Sequence, residues 1–155
     1  MAQTRPGMWV HGTSVQVEEP EKLTSMVRRG WGTHFHAGST GIWFHFPIPA
    51  PVGYNGNSLL LNEIFVLYDA KGTAEITRID IHDGPHLVKS FEGLSCTGNH
   101  SAQVDSSNRW KIDEWIVINF GLVISVYVNF HAPTGGFDEI IFTAAGVNTS
   151  VPVLP

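Results

Sequence analysis

The chain has 155 residues, of which 43% are hydrophobic and only 15% charged, with 9 Lys and Arg against 14 Asp and Glu for a net charge of −5. That apolar share excludes a disordered chain, and the acidic balance excludes a basic nucleic-acid-binding stripe. A chain of this length buries roughly two thirds of its unfolded surface without staples, so one β-sandwich domain over residues 1–155 is expected.

In chain order, residues 10–18 alternate, with Val15 and Val17 on one face. Residues 20–29 read as a short helix: Pro20 suits a first helical position, Glu21 follows it, and Leu23, Met26 and Val27 are spaced i, i+3, i+4. The competing reading is a loop and then a strand at 25–29. Strands follow at 31–37 and 42–46, split by Gly38-Ser39-Thr40-Gly41. The run Phe46-Pro47-Ile48-Pro49-Ala50-Pro51-Val52 reads as a stiff polyproline strap. Residues 59–69 are apolar on both faces, as in a buried central strand. Further strands fall at 73–83, 86–91, 109–119, 122–130 and 137–144, separated by turns at Gly72, Gly84, Gly121 and Gly135-Gly136. About nine short strands and at most one short helix define an all-β class, an antiparallel, jelly-roll-like β-sandwich.

Three absences set further expectations. The stretch 1–7 has no apolar run behind Arg5, so no secretory signal is read. The only cysteine is Cys96, and no apolar run approaches the ~18 residues of a membrane helix. A cytoplasmic protein without a membrane or nucleic-acid partner is expected. No glycine-rich phosphate loop is present, so no nucleotide cofactor is expected. The low charge on a β-rich surface predicts a homodimer or higher homo-oligomer.

The chain has 8 histidines, and their placement carries the chemistry. In strands, alternate side chains share a face. His34 and His36 thus share a face, with Thr33, Phe35 and Ala37 opposite; Trp43 and His45 share a face, with Ile42, Phe44 and Phe46 opposite. A hairpin closed by residues 38–41 would pair His34 with His45 and His36 with Trp43, with the apolar partners all on the other side. Three histidines and a tryptophan on one face can hold a small molecule or a sugar ring, with Tyr127 as a further contact. The same His34, His36 and His45 could hold one divalent metal ion. The His-x-His pair resembles that of cupin metal sites, but Ser39, Thr40 and Gly41 stand where a cupin has its glutamate, and no family is assigned on it.

Glu63, flanked on its face by Leu61 and Phe65, is expected to be desolvated unless a bulge or an ion pair relieves it. With His34 and His45 it could supply acid–base catalysis, so the alternative to a binding module is a small cyclase, isomerase or lyase. A third reading is a structural or assembly protein. Arg78, Asp80 and His82 share one strand face, as do Ser125, Tyr127, Asn129 and His131. A Ser–His–Asp set could be assembled from Ser125, His82 or His131, and Asp80, without the Gly-x-Ser-x-Gly turn that usually carries one. Cys96 lies four residues before His100 and reads more simply as a small apolar filler.

Overall fold

A computed structural model describes residues 3, 4 and 7–152. Residues 1, 2, 5 and 6, part of the stretch read for a signal, lie outside the described residues. The strands are β1 (Gln3–Thr4), β2 (Met8–His11), β3 (Gln16–Val17), β4 (Leu23–Arg29), β5 (Gly32–Ala37), β6 (Thr40–Ile48), β7 (Gly53–Tyr54) and β8 (Asn57–Ser58). Then follow β9 (Leu60–Lys71), β10 (Glu75–Asp83), β11 (His86–Phe91), β12 (Gly98–His100), β13 (Arg109–Lys111), β14 (Leu122–Phe130) and β15 (Asp138–Val151). The fold is the expected all-β sandwich, and its ladders are antiparallel.

One sheet runs β12-β9-β15-β5-β4, with β13 also on β9 and with β2 and β1 on β15. The other runs β11-β10-β14-β6-β3. Strand β15 is the spine of the first: it pairs with β9 along most of its length, and its other edge takes β5, β2 and β1 in succession. The two sheets close on a phenylalanine layer. The Phe142 ring centroid lies 5.3 Å from that of Phe44, 5.2 Å from Phe46 and 6.2 Å from Phe35. Each of these rings is fully buried, and at about 1.5–3 kcal/mol per buried large apolar side chain this layer is a main source of stability.

The expected hairpin of β5 and β6 does not form. Strand β5 pairs with β15 and β4, whereas β6 pairs with β14 and β3 in the opposite sheet. Residues Gly38 and Ser39 carry the chain from one sheet to the other. Alternation survives this change: Phe35, Ala37, Phe44 and Phe46 point into the core and the histidines point out. The sequence pattern fixes which side chains face inward, but an inward face is satisfied equally by a neighbour in the same sheet or by one across the core.

The helix expected over 20–29 is also corrected. Pro20–Lys22 forms a single 3₁₀ turn, and Leu23–Arg29 is a strand paired with β5 from Leu23 opposite Ala37 to Arg29 opposite Gly32. It is an edge strand and largely exposed, so Met26 and Val27 meet no second apolar layer that a helical stripe would need. Of the strand expected over 109–119, only Arg109–Lys111 forms a regular ladder. Beyond it the chain docks on the start of β9 through Leu61 N–H to Ile116 O and Ile118 N–H to Leu59 O. The N–H groups of Asn119, Phe120 and Gly121 all donate to the buried carboxylate of Asp83 instead of to a neighbouring strand.

Candidate functional site

The sandwich has two outer faces, and the predicted site residues are divided between them. On the β4-β5-β15-β9 face, Glu139 lies between the two histidines of β5. His34 Nδ1 is 3.3 Å from its Oε1, His36 Nε2 is 2.5 Å from its Oε2, and Lys71 Nζ is 3.7 Å from Oε1. His36 also meets Ser25 Oγ through Nδ1 at 2.9 Å, and the His34 ring sits edge-on to Trp31. Each nitrogen of His36 is therefore engaged within the protein. Glu139 was not foreseen from the sequence, because its pairing with β5 depends on a strand about a hundred residues away.

Trp43 and His45 are on the opposite face of the molecule. The metal set His34, His36 and His45 is therefore not assembled, and among the described residues no group of three or more His, Cys, Asp or Glu is placed to hold a metal ion. The catalytic set His34, His45 and Glu63 is divided in the same way. Glu63 belongs to β9, six residues from Asp69, which pairs with Ile141 beside His34. It is buried, and both of its oxygens accept from Arg109 Nη2 at 2.8 Å. The Arg109 guanidinium thus engages both carboxylate oxygens, which is the ion-pair alternative that the sequence offered for this residue.

The outer face of β3-β6-β14-β10-β11 keeps the remaining residues together. One row runs across all five strands: Gln16, His45, Ser125, Asp80 and Ser90. The adjoining row on the three central strands is Trp43, Tyr127 and Arg78. The Trp43 and Tyr127 rings are 5.0 Å apart, tilted by 52°. Gly41, on the same strand, makes room for them, since a Cβ there would stand 1.9 Å from Tyr127 Oη.

Beside this aromatic pair is a pocket of about 130 Å³, lined by Glu18, Trp43, His45, Asp80, His82 and Ser125. His45 links two of the others, with Nδ1 2.8 Å from Ser125 Oγ and Nε2 3.4 Å from Glu18 Oε1. Asp80 Oδ1 accepts from Arg78 Nε and Ser90 Oγ, both at 2.8 Å, which orients the carboxylate. The grouping of Asp80 and His82 with Ser125 follows from the sequence faces. His131 does not join them; it lies by Glu75 near the far end of β10. Glu18 was missed, since it is carried in by β3 at the sheet edge, a strand of only two residues.

Fold and site together define a β-sandwich with an aromatic-and-acid patch on one sheet face. The chain belongs to a family of unknown function, DUF6623, whose model matches residues 1–149. No curated protein matches it. Among solved structures, a family two carbohydrate esterase from Cellvibrio japonicus is similar at 11% identity and a TM-score of 0.40. That match covers all of this chain and 37% of the esterase chain, and at this score it assigns nothing to the present protein. Among the described residues no helix is long and apolar enough to cross a membrane.

Proposed function

We propose that this protein is a carbohydrate-binding β-sandwich whose site is the Trp43–Tyr127 face of the five-stranded sheet. The observation that carries the reading is the grouping of a tilted aromatic pair with a pocket edged by Glu18, His45, Asp80 and His82. Aromatic faces stack on the C–H face of a sugar ring, and oriented carboxylates and imidazoles accept and donate to its hydroxyls. Covalent chemistry at Ser125 is less well supported. Residue 125 lies in mid-strand between β6 and β10, where neighbouring backbone N–H groups serve the two ladders and cannot stabilise an oxyanion.

The test is titration of the protein with a panel of neutral oligosaccharides, read by calorimetry, alongside the variants Trp43→Ala and Asp80→Asn. At least one glycan is expected to bind, and Trp43→Ala is expected to weaken it about thirtyfold, as for an anchoring aromatic worth about 2 kcal/mol. No binding across the panel, or binding unchanged in Trp43→Ala, overturns the proposal.

A further inference from the structure

Among the described strands, β4 is the longest with a partner on one side only. Leu23–Arg29 pairs with β5 alone, and every residue from Thr24 to Arg29 is exposed. Such an edge carries N–H and C=O groups ready to pair, and proteins usually guard it with proline, charge or a covering segment. The outer strand of the other sheet, β11, is guarded in this way: Lys89 pairs with Glu114, and Phe91 packs against Trp110. Strand β4 contains no proline. Its Arg28 folds back onto its own chain, donating to Thr13 O and Val15 O, and does not project across the edge.

This edge is apolar at its middle and oppositely charged at its two ends. Met26 is 40% exposed, Val27 37% and Trp31, in the hairpin turn beyond, 54%. Glu21 lies just before the strand and Arg29 closes it. Neither forms a hydrogen bond or salt bridge among the described residues, whereas Lys22 between them is paired with Glu19.

We propose that β4 pairs antiparallel with β4 of a second copy about a two-fold axis at Met26, which joins the two eight-stranded sheets edge to edge. A two-fold contact has to be self-complementary, because the start of one strand meets the end of the other. This strand meets that condition. Met26 stands opposite the partner's Met26, Ser25 opposite the partner's Val27, and Arg29 reaches past the partner's Leu23 to the partner's Glu21. The faces agree as well: Ser25 and Val27 stand beside His36 and His34 on the outer side, and Met26 stands beside Phe35 on the inner side. A foreign strand would satisfy the backbone equally but gives no reason for the acid-to-base order along this one. The pairing gives the expected homo-oligomer an interface and a symmetry. Edge pairing buries little area, so the association is weak and concentration-dependent.

The experiment is sedimentation velocity of the purified protein over about a hundredfold range of concentration. Wild type is expected to pass from monomer to dimer across it. Met26→Lys, at an exposed position, sets two ammonium groups against each other on the axis and should raise the dissociation constant at least about tenfold. Arg29→Glu and Glu21→Arg each bring like charges together and should each weaken self-association about tenfold. An equimolar mixture of those two variants should nonetheless dimerise as wild type does, because each supplies the charge that the other lacks; the same result shows both to be folded. Lys111→Glu, which makes the same change of net charge on β13, should leave the dimer unchanged. A monomer at every concentration, a dimer indifferent to Met26→Lys, or a mixture no tighter than its separate components overturns the proposal.

Discussion

Phe35 and Phe44 sit with ring centroids 4.6 Å apart, yet no ladder joins their strands, which belong to opposite sheets. Energetic coupling should follow the rings and not the chain. Phe35→Leu and Phe44→Leu are each expected to cost about 1–3 kcal/mol, with a coupling of about 0.5–1.5 kcal/mol in the double-mutant cycle. The outward neighbours His34 and His45 should behave oppositely: their Ala substitutions should add to within about 0.5 kcal/mol. Urea unfolding of the two cycles checks this, and strong coupling between the histidines would contradict the crossing at Gly38-Ser39.

Asp83 fastens the segment before β14. Burial pushes its carboxyl up, but the N–H groups of Gly121, Phe120 and Asn119 together outweigh that and hold it below the usual range. A carboxyl depressed in the folded state contributes stability above the ordinary value of about 4, and that contribution is lost as pH falls through the folded value. Asp83→Asn should therefore cost about 1–3 kcal/mol at neutral pH and progressively less below about pH 4. Denaturant melts of both proteins at pH 7 and pH 2.5 provide the comparison.

Two glycines separate stability from binding. A Cβ on Gly12 would meet the backbone carbonyl of Phe142 at 2.0 Å, and main chain in a spine strand cannot yield cheaply. A Cβ on Gly41 would meet the far end of Tyr127, a side chain free to swing away. Gly12→Ala is expected to cost at least about 2 kcal/mol. Gly41→Ala should cost under about 1 kcal/mol but displace the Tyr127 ring and weaken glycan binding at least about fivefold. Melting temperatures and calorimetric titrations of the two variants read these outcomes.

The Glu63–Arg109 pair is asymmetric, since the Glu63 side chain is 9% exposed and that of Arg109 is 42% exposed. Arg109→Met leaves a buried carboxylate without a partner and should cost about 2–4 kcal/mol. Glu63→Gln leaves a guanidinium that water can solvate, at a cost of about 1 kcal/mol or less. The double variant is expected to recover most of the loss of Arg109→Met; equal costs for the two single variants would contradict this account.

Inward and outward faces were legible wherever a strand has one dry and one wet side, as in β5, β6 and β14. The partner of a face was not, because Phe35 presents the same alternation whether Phe44 lies beside it or across the core. That distinction decided the site: Trp43, His45 and Tyr127 stay together, while His34 and His36 face away from them. Edge strands were the least legible. Met26 and Val27 on β4 carry no period-two signal since both faces are wet, and the alternation read over 10–18 is interrupted by a 3₁₀ turn at Gly12–Ser14, which leaves β3, the strand beside Glu18, only two residues long. The run after Lys111 escaped for a different reason, since it meets β9 through scattered backbone bonds rather than a ladder, and the N–H groups of Asn119, Phe120 and Gly121 are taken by the side chain of Asp83.

The position of β15 has a consequence for how the molecule is made. Strands β1, β2, β5 and β9 each need it as a partner, and it is the last described strand to leave a ribosome. Until then β5 and β9 offer bare hydrogen-bonding edges, and the Phe35–Phe44 layer lacks Phe142. Pairings of such long sequence separation form slowly, so a nascent chain stalled before residue 138 should bind holdase chaperones and be cut readily by proteases. Release of the full chain should abolish both within one cooperative step.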